Sequence, residues 1–127
     1  MLTAASGRYD NTVTLAYDEV SRVTSESLAV DFGTARTYTV SHAYDDDSRA
    51  VETTYPNGKV VDRTFTDRNQ LDQVDYDTSM VASFTYDAGM RESRRDHGNT
   101  LITRRVYGRS DNLPTAIVNE TILNWND

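Results

Sequence analysis

A recurring aromatic residue restricts the fold of this chain more than any other feature. Five segments align without gaps over seven positions: YDEVSRV from Tyr17, YDDDSRA from Tyr44, FTDRNQL from Phe65, YDAGMRE from Tyr86 and YGRSDNL from Tyr107. The aromatic anchors lie 27, 21, 21 and 21 residues apart. Position two is Asp18, Asp45 and Asp87 in three segments, with Thr66 and Gly108 departing. Position six is Arg22, Arg49 and Arg91, with Gln70 and Asn112 as polar stand-ins. Position seven is small or aliphatic except at Glu92. A unit this short is a single supersecondary element that is stabilised mainly by its neighbours, so the chain reads as one repeat array over residues 1–127, with about five to six repeats of ~21 residues.

The units are built from strands. Eight Tyr, with Thr and Val common throughout, favour pleated structure. No stretch sustains the i, i+3, i+4, i+7 spacing of an amphipathic helix, whereas several alternate with period two. Tyr38, Val40, His42 and Tyr44 fall on one strand face, as do Met80, Ala82, Phe84 and Tyr86. Midway between anchors comes a turn signal at Gly33, Gly58 and Gly98, and Asn57-Gly58 has the sequence of a two-residue hairpin turn. Asn119, 21 residues after Gly98, is expected to turn the chain in the same way, and the slot at Asp77-Thr78-Ser79, without Gly, is expected to hold a weaker turn. Each unit is thus strand, turn, strand ending in the anchor, then a short Asp-containing connection. The expected fold is all-β, a repetitive antiparallel β-hairpin meander that grows by two strands per repeat.

Tyr-Asp, three variable residues, Arg and then an aliphatic residue, repeated near every 21, resembles the YD repeat of the Rhs family. The same repeat occurs in bacterial wall-associated proteins, the C component of Tc toxins and animal teneurins. Tyr17-Asp18 through Val23 and Tyr86-Asp87 through Arg91 are the best copies, and the resemblance covers roughly residues 9 to 127. It implies a curved segment of a larger β-shell, in which the repeat residues Tyr17, Asp18, Arg22, Tyr44, Asp45, Arg49, Phe65, Tyr86, Asp87, Arg91 and Tyr107 are structural. It also implies a secreted or cell-surface protein. The partners it implies are neighbouring repeats of a longer chain and an encapsulated C-terminal toxin domain, with carbohydrate as the alternative. The next anchor would fall just past Asp127, and no Asp/Pro/Gly-rich closing segment is seen, so the expectation is a piece of a longer array.

Composition narrows the function further. Thirteen basic against 20 acidic residues give a net charge of −7, a poor match for nucleic acid or an anionic membrane. No apolar run is long enough to form a spanning helix, the N-terminus lacks the pattern of a signal peptide, and no Cys is available for disulfides or metal. The run Asp45-Asp46-Asp47-Ser48 lacks the alternation, Gly and Glu of a calcium loop and reads as a connection. A His42-Ser41-Asp45 triad can be written, but no nucleophile-elbow sequence supports it. With 20 acidic residues, sequence spacing cannot select a carboxylate pair for glycoside hydrolysis. No phosphate loop, cofactor motif or metal-ligand cluster appears. No enzymatic activity, cofactor or metal is expected. Arg91, Arg94, Arg95, Arg104, Arg105 and Arg109, interspersed with Glu92, Asp96 and Asp111, suggest inter-strand ion pairs.

Overall fold

The computed structural model describes residues 2–4, 11–31, 33–108 and 113–121. These residues contain only strands and turns. The strands are β1 (Leu2–Ala4), β2 (Asn11–Tyr17), β3 (Val23–Asp31), β4 (Ala35–Tyr44), β5 (Ala50–Thr54), β6 (Val60–Phe65), β7 (Leu71–Tyr76), β8 (Ser79–Tyr86), β9 (Glu92–His97), β10 (Leu101–Tyr107) and β11 (Pro114–Thr121). Strand order follows chain order throughout. The described fold is therefore the all-β antiparallel hairpin meander that the aromatic period predicts.

The chain divides into two compact units, residues 1–62 and 63–127. In the first, β2 pairs with β3 from Asn11↔Val30 to Tyr17↔Val23, and β3 with β4 from Ser25↔Ser41 to Asp31↔Ala35. These two ladders are long because β3 has 9 residues and β4 has 10, which accounts for the wide first anchor spacing. In the second unit, β7, β8, β9, β10 and β11 pair in succession.

The turns fall largely where the sequence places them, but their chemistry differs. Asn57-Gly58 does not form a two-residue turn. The Tyr55 amide donates to the Lys59 carbonyl and the Gly58 amide to the Tyr55 carbonyl, so Pro56, Asn57 and Gly58 form a three-residue loop with Gly58 at φ 78°. Asp77-Thr78, without Gly, turns tightly between the paired Tyr76 and Ser79, with Asp77 itself at φ 55°. At the β9–β10 tip the left-handed residue is Thr100, φ 69°, rather than Gly98. Gly98 is needed there for proximity: a Cβ at this position would lie 2.0 Å from the Met80 carbonyl oxygen. Asn119 does not turn the chain. It lies inside β11 opposite Thr103, whose hydroxyl donates to its side-chain oxygen at 2.9 Å. The extra length of β11 carries the pairing past the 21-residue mark, so a side chain that suits a turn is used in a ladder.

Apolar burial is sparse. Among the described residues the buried apolar side chains are Ala82 and Ile102, and the buried polar ones are Thr53 and Thr103. No described large side chain is fully enclosed. Order therefore depends on hydrogen-bonded ladders and cross-strand pairs, and on what the recurring motif does at each connection.

Candidate functional site

The recurring residues build one local structure several times over. In the first copy the Asp18 amide donates to the Arg22 carbonyl (3.0 Å) and the Ser21 amide to the Asp18 carbonyl (3.1 Å). Asp18 Oδ1 accepts from the amides of Val20 and Arg22, and Oδ2 from Arg22 Nε at 2.6 Å. Asp45 repeats this with the amides of Asp47 and Arg49 and with Arg49 Nε. Asp87 repeats it with the amides of Gly89 and Arg91 and with the Arg91 guanidinium. The spacing of Asp and Arg follows from this geometry, since the carboxylate caps the loop amides while the side chain four residues on returns to its second oxygen. Position five is left-handed in the first four copies: Ser21, Ser48, Asn69 and Met90 have φ from 61° to 68°.

These bonds set the charge state of the three carboxylates. The Arg22 amide leads in holding Asp18 below its ordinary value of 3.8. At Asp45 partial desolvation pushes upward, but the amide and guanidinium of Arg49 outweigh it. The Arg91 guanidinium, then its amide, lower Asp87. The acidic run at residues 45–47 is thus a connection, with its first carboxylate engaged by Arg49.

Two further contacts recur between successive copies. The Tyr44 hydroxyl donates to the Val23 carbonyl, Tyr86 to Leu71 and Tyr107 to Glu92, at 2.7–2.8 Å. All three acceptors occupy position seven of the preceding copy, so the backbone carbonyl is what recurs there, and Glu92 is no exception. The position-six side chain points the same way. The Arg22 guanidinium carbon lies 4.7 Å from the Tyr44 ring centroid and its Nη1 donates to the Asp45 carbonyl, while Arg91 lies 4.5 Å from the Tyr107 centroid. Phe65 keeps the ring but has no hydroxyl.

A β-bulge also accompanies the anchors. Register shifts fall between Ala16 and Tyr17, Ala43 and Tyr44, Thr85 and Tyr86, and Val106 and Tyr107. The extra residues opposite are Thr24, Val51, Ser93 and Thr115. Ser93 and Thr115 each donate a hydroxyl hydrogen bond back to the residue before the anchor. These chemically varied residues carry no shared sequence signal. The fifth connection departs from its alignment: the Gly108 amide bonds the Leu113 carbonyl and Tyr107 pairs with Pro114, one residue farther than in the other copies. Its position-six residue, Asn112, and Arg109 and Asp111 lie outside the described residues.

Other candidates from the sequence are dispersed. Ser41 and His42 are consecutive in β4 and so face opposite sides of the strand. His42 Nδ1 lies 3.4 Å from Thr53 Oγ1, and Asp45 is engaged with Arg49, so no triad forms. His97 contacts Thr103 at 3.2 Å. Among the described residues no three His, Asp or Glu side chains gather to hold a metal ion. The basic segment forms the expected inter-strand ion pairs in part: Arg105 and Arg104 on β10 reach Glu92 on β9 and Glu120 on β11, whereas Arg95–Glu92 and Arg94–Asp96 are pairs within β9.

Fold and motif together define an antiparallel hairpin array whose recurring side chains cap connections and join successive copies. No protein-family model matches the chain, and no curated protein shows significant similarity to it. Solved toxin complexes do share its fold. The chain superposes on the Photorhabdus luminescens Tc holotoxin pore with a TM-score of 0.76 and 18% identity, covering 87% of this chain and 6% of that one. A TcdB2-TccC3-TEV crystal structure gives a TM-score of 0.76 at 18% identity over 89% and 7%. A TcdB2-TccC3-Cdc42 crystal structure gives 0.74 at 18% over 86% and 6%. The chain thus folds as a small segment of these much longer toxin chains does, which fits its resemblance to the Rhs and Tc toxin repeat.

Proposed function

We propose that the chain is a structural segment of a larger Rhs/YD-repeat β-shell or surface scaffold, without chemistry of its own. The observation that carries this reading is the lock between successive copies. The anchor hydroxyl holds the previous position-seven carbonyl, and the position-six guanidinium lies against the next anchor ring. Side chains used in this way join repeat to repeat, and the sparse apolar burial leaves the array dependent on such joints. The fold shared with a Tc holotoxin supports the reading, and on it the shell would enclose a toxin domain encoded farther along and act after secretion.

The test is to sequence the native gene past codon 127 and determine the structure of its product by electron cryomicroscopy. The expected result is a frame that continues with aromatic anchors near every 21 residues and a product whose sheet closes around a cavity. A product that ends as one open sheet would overturn the shell.

A second reading, a carbohydrate-contacting sheet, is favoured by one observation: Tyr17, Tyr38, Tyr55 and Tyr76 are all about two-fifths exposed. A glycan array that stays blank at millimolar ligand would eliminate it.

A further inference from the structure

The third copy departs from the motif at both charged positions, having Thr66 and Gln70 where three copies have Asp and Arg. Gln70 keeps one of the contacts between copies, since its Nε2 donates to the Met90 carbonyl at 2.8 Å. It brings no guanidinium to the next anchor ring, Tyr86. In that place is a cleft of about 390 Å³ lined by Thr66, Gln70, Tyr86 and Asp87. These are the counterparts of Asp18, Arg22, Tyr44 and Asp45, the four residues that surround or supply the Arg22 guanidinium. Asp67 and Asp72 also line the cleft, both exposed and without a hydrogen-bond or ion-pair partner among the described residues.

We infer that this cleft is a binding site for the guanidinium of an arginine side chain presented by another polypeptide. The chain itself supplies the template, because two other copies place a guanidinium over the equivalent ring, at 4.7 and 4.5 Å. The Tyr86 ring is fixed in position by its hydroxyl bond to the Leu71 carbonyl. The Asp87 carbonyl accepts the Met90 amide and keeps a second lone pair, as the Asp45 carbonyl does when it takes both the Ser48 amide and Arg22 Nη1. The Asp87 carboxylate is occupied by Arg91, so the charge available to a ligand comes from Asp67 and Asp72, opposed by Arg68 on the rim. A planar guanidinium stacks on an aromatic face and donates in its own plane, which an ammonium does not do. The site stands on the third copy alone and is independent of whether the array closes into a shell.

The test is a nuclear magnetic resonance titration of the ¹⁵N-labelled 127-residue chain with N-acetyl-arginine amide. Saturable shifts are expected at Thr66, Gln70, Asp72 and Asp87, with N-acetyl-lysine amide binding about tenfold more weakly at equal ionic strength. Q70R is expected to fill the cleft and abolish the shifts. D72N, an exposed and conservative change, should weaken binding several-fold with the fold intact. Equal response to lysine, shifts spread over every copy, or binding that survives Q70R would each overturn the proposal.

Discussion

Asp18, Asp45 and Asp87 each commit at least three acceptor sites to a single loop, and that loop fails as a unit if the carboxylate is neutralised. All three are held below the ordinary 3.8. A carboxylate with a depressed value in the folded chain binds fewer protons there than in the unfolded chain. Its contribution is therefore complete above 3.8 and is lost as the pH falls below that value through the folded-state values. Thermal unfolding followed from pH 7 downward should hold its midpoint to about pH 5 and then drop steeply. The triple variant D18N/D45N/D87N should start lower and show a flatter acid limb; an acid limb as steep as the parent's would assign the acid loss to other groups. The anchor hydroxyl separates from the anchor ring in the same way. Y86F removes one hydrogen bond to the Leu71 carbonyl and leaves the ring, as Phe65 already does, so its cost should be about 0.5–1.5 kcal/mol in urea unfolding. A loss several times larger would mean that the hydroxyl does more than close one inter-repeat contact.

Turns differ in why they need the residue they have, and substitutions at the element scale expose the difference. Gly58 is required for its φ of 78°, with open space around its Cβ position, so G58A should cost about 1–2 kcal/mol of left-handed strain. Gly98 has no positive φ but faces the Met80 carbonyl at the β8 bulge, so G98A must displace backbone and should cost more than G58A by chemical denaturation. The reverse order would show that β8 yields easily at that bulge. Met90 presents the opposite case, a long side chain at φ 64° that is half exposed, with Gly89 one position too early to relieve it. Asn adopts this conformation readily, as Asn69 does in the third copy, so M90N should stabilise the chain by about 0.5–1 kcal/mol. The recurrence of Asp, three residues and Arg was legible in the sequence in three copies as a structural motif, but the closure of Arg22, Arg49 and Arg91 on the Asp of their own connection was not. The bulges and the left-handed residues were not, because Thr, Val and Ser are all tolerated as the extra residue and Ser, Asn and Met all occupy position five. Asn119 shows the limit of counting, since a period places a residue but strand length decides whether it turns or pairs.

At the scale of the whole chain, the sequence announces the meander through its 21-residue period, while the cleft beside Tyr86 belongs to the folded array alone. A motif departure such as Thr66 and Gln70 reads in sequence as drift; in structure it is the removal of a guanidinium from a defined place. The contacts that lock Arg22, Tyr44 and Asp45 all lie within the first unit, and those among Leu71, Tyr86, Glu92 and Tyr107 within the second. With so little apolar surface buried among the described residues, long-range packing has little means of coupling one hairpin to a distant one, and stability should be set by nearest neighbours. G98A should accordingly speed hydrogen exchange in β8, β9 and β10 while leaving protection in β2, β3 and β4 unchanged. The parent chain should also unfold in urea with a smaller slope than a cored domain of the same length, because less surface is exposed on unfolding. Uniform loss of protection across all these strands, together with a slope typical of the chain length, would instead require one cooperative unit, and the repeat-by-repeat account of its stability would have to be abandoned.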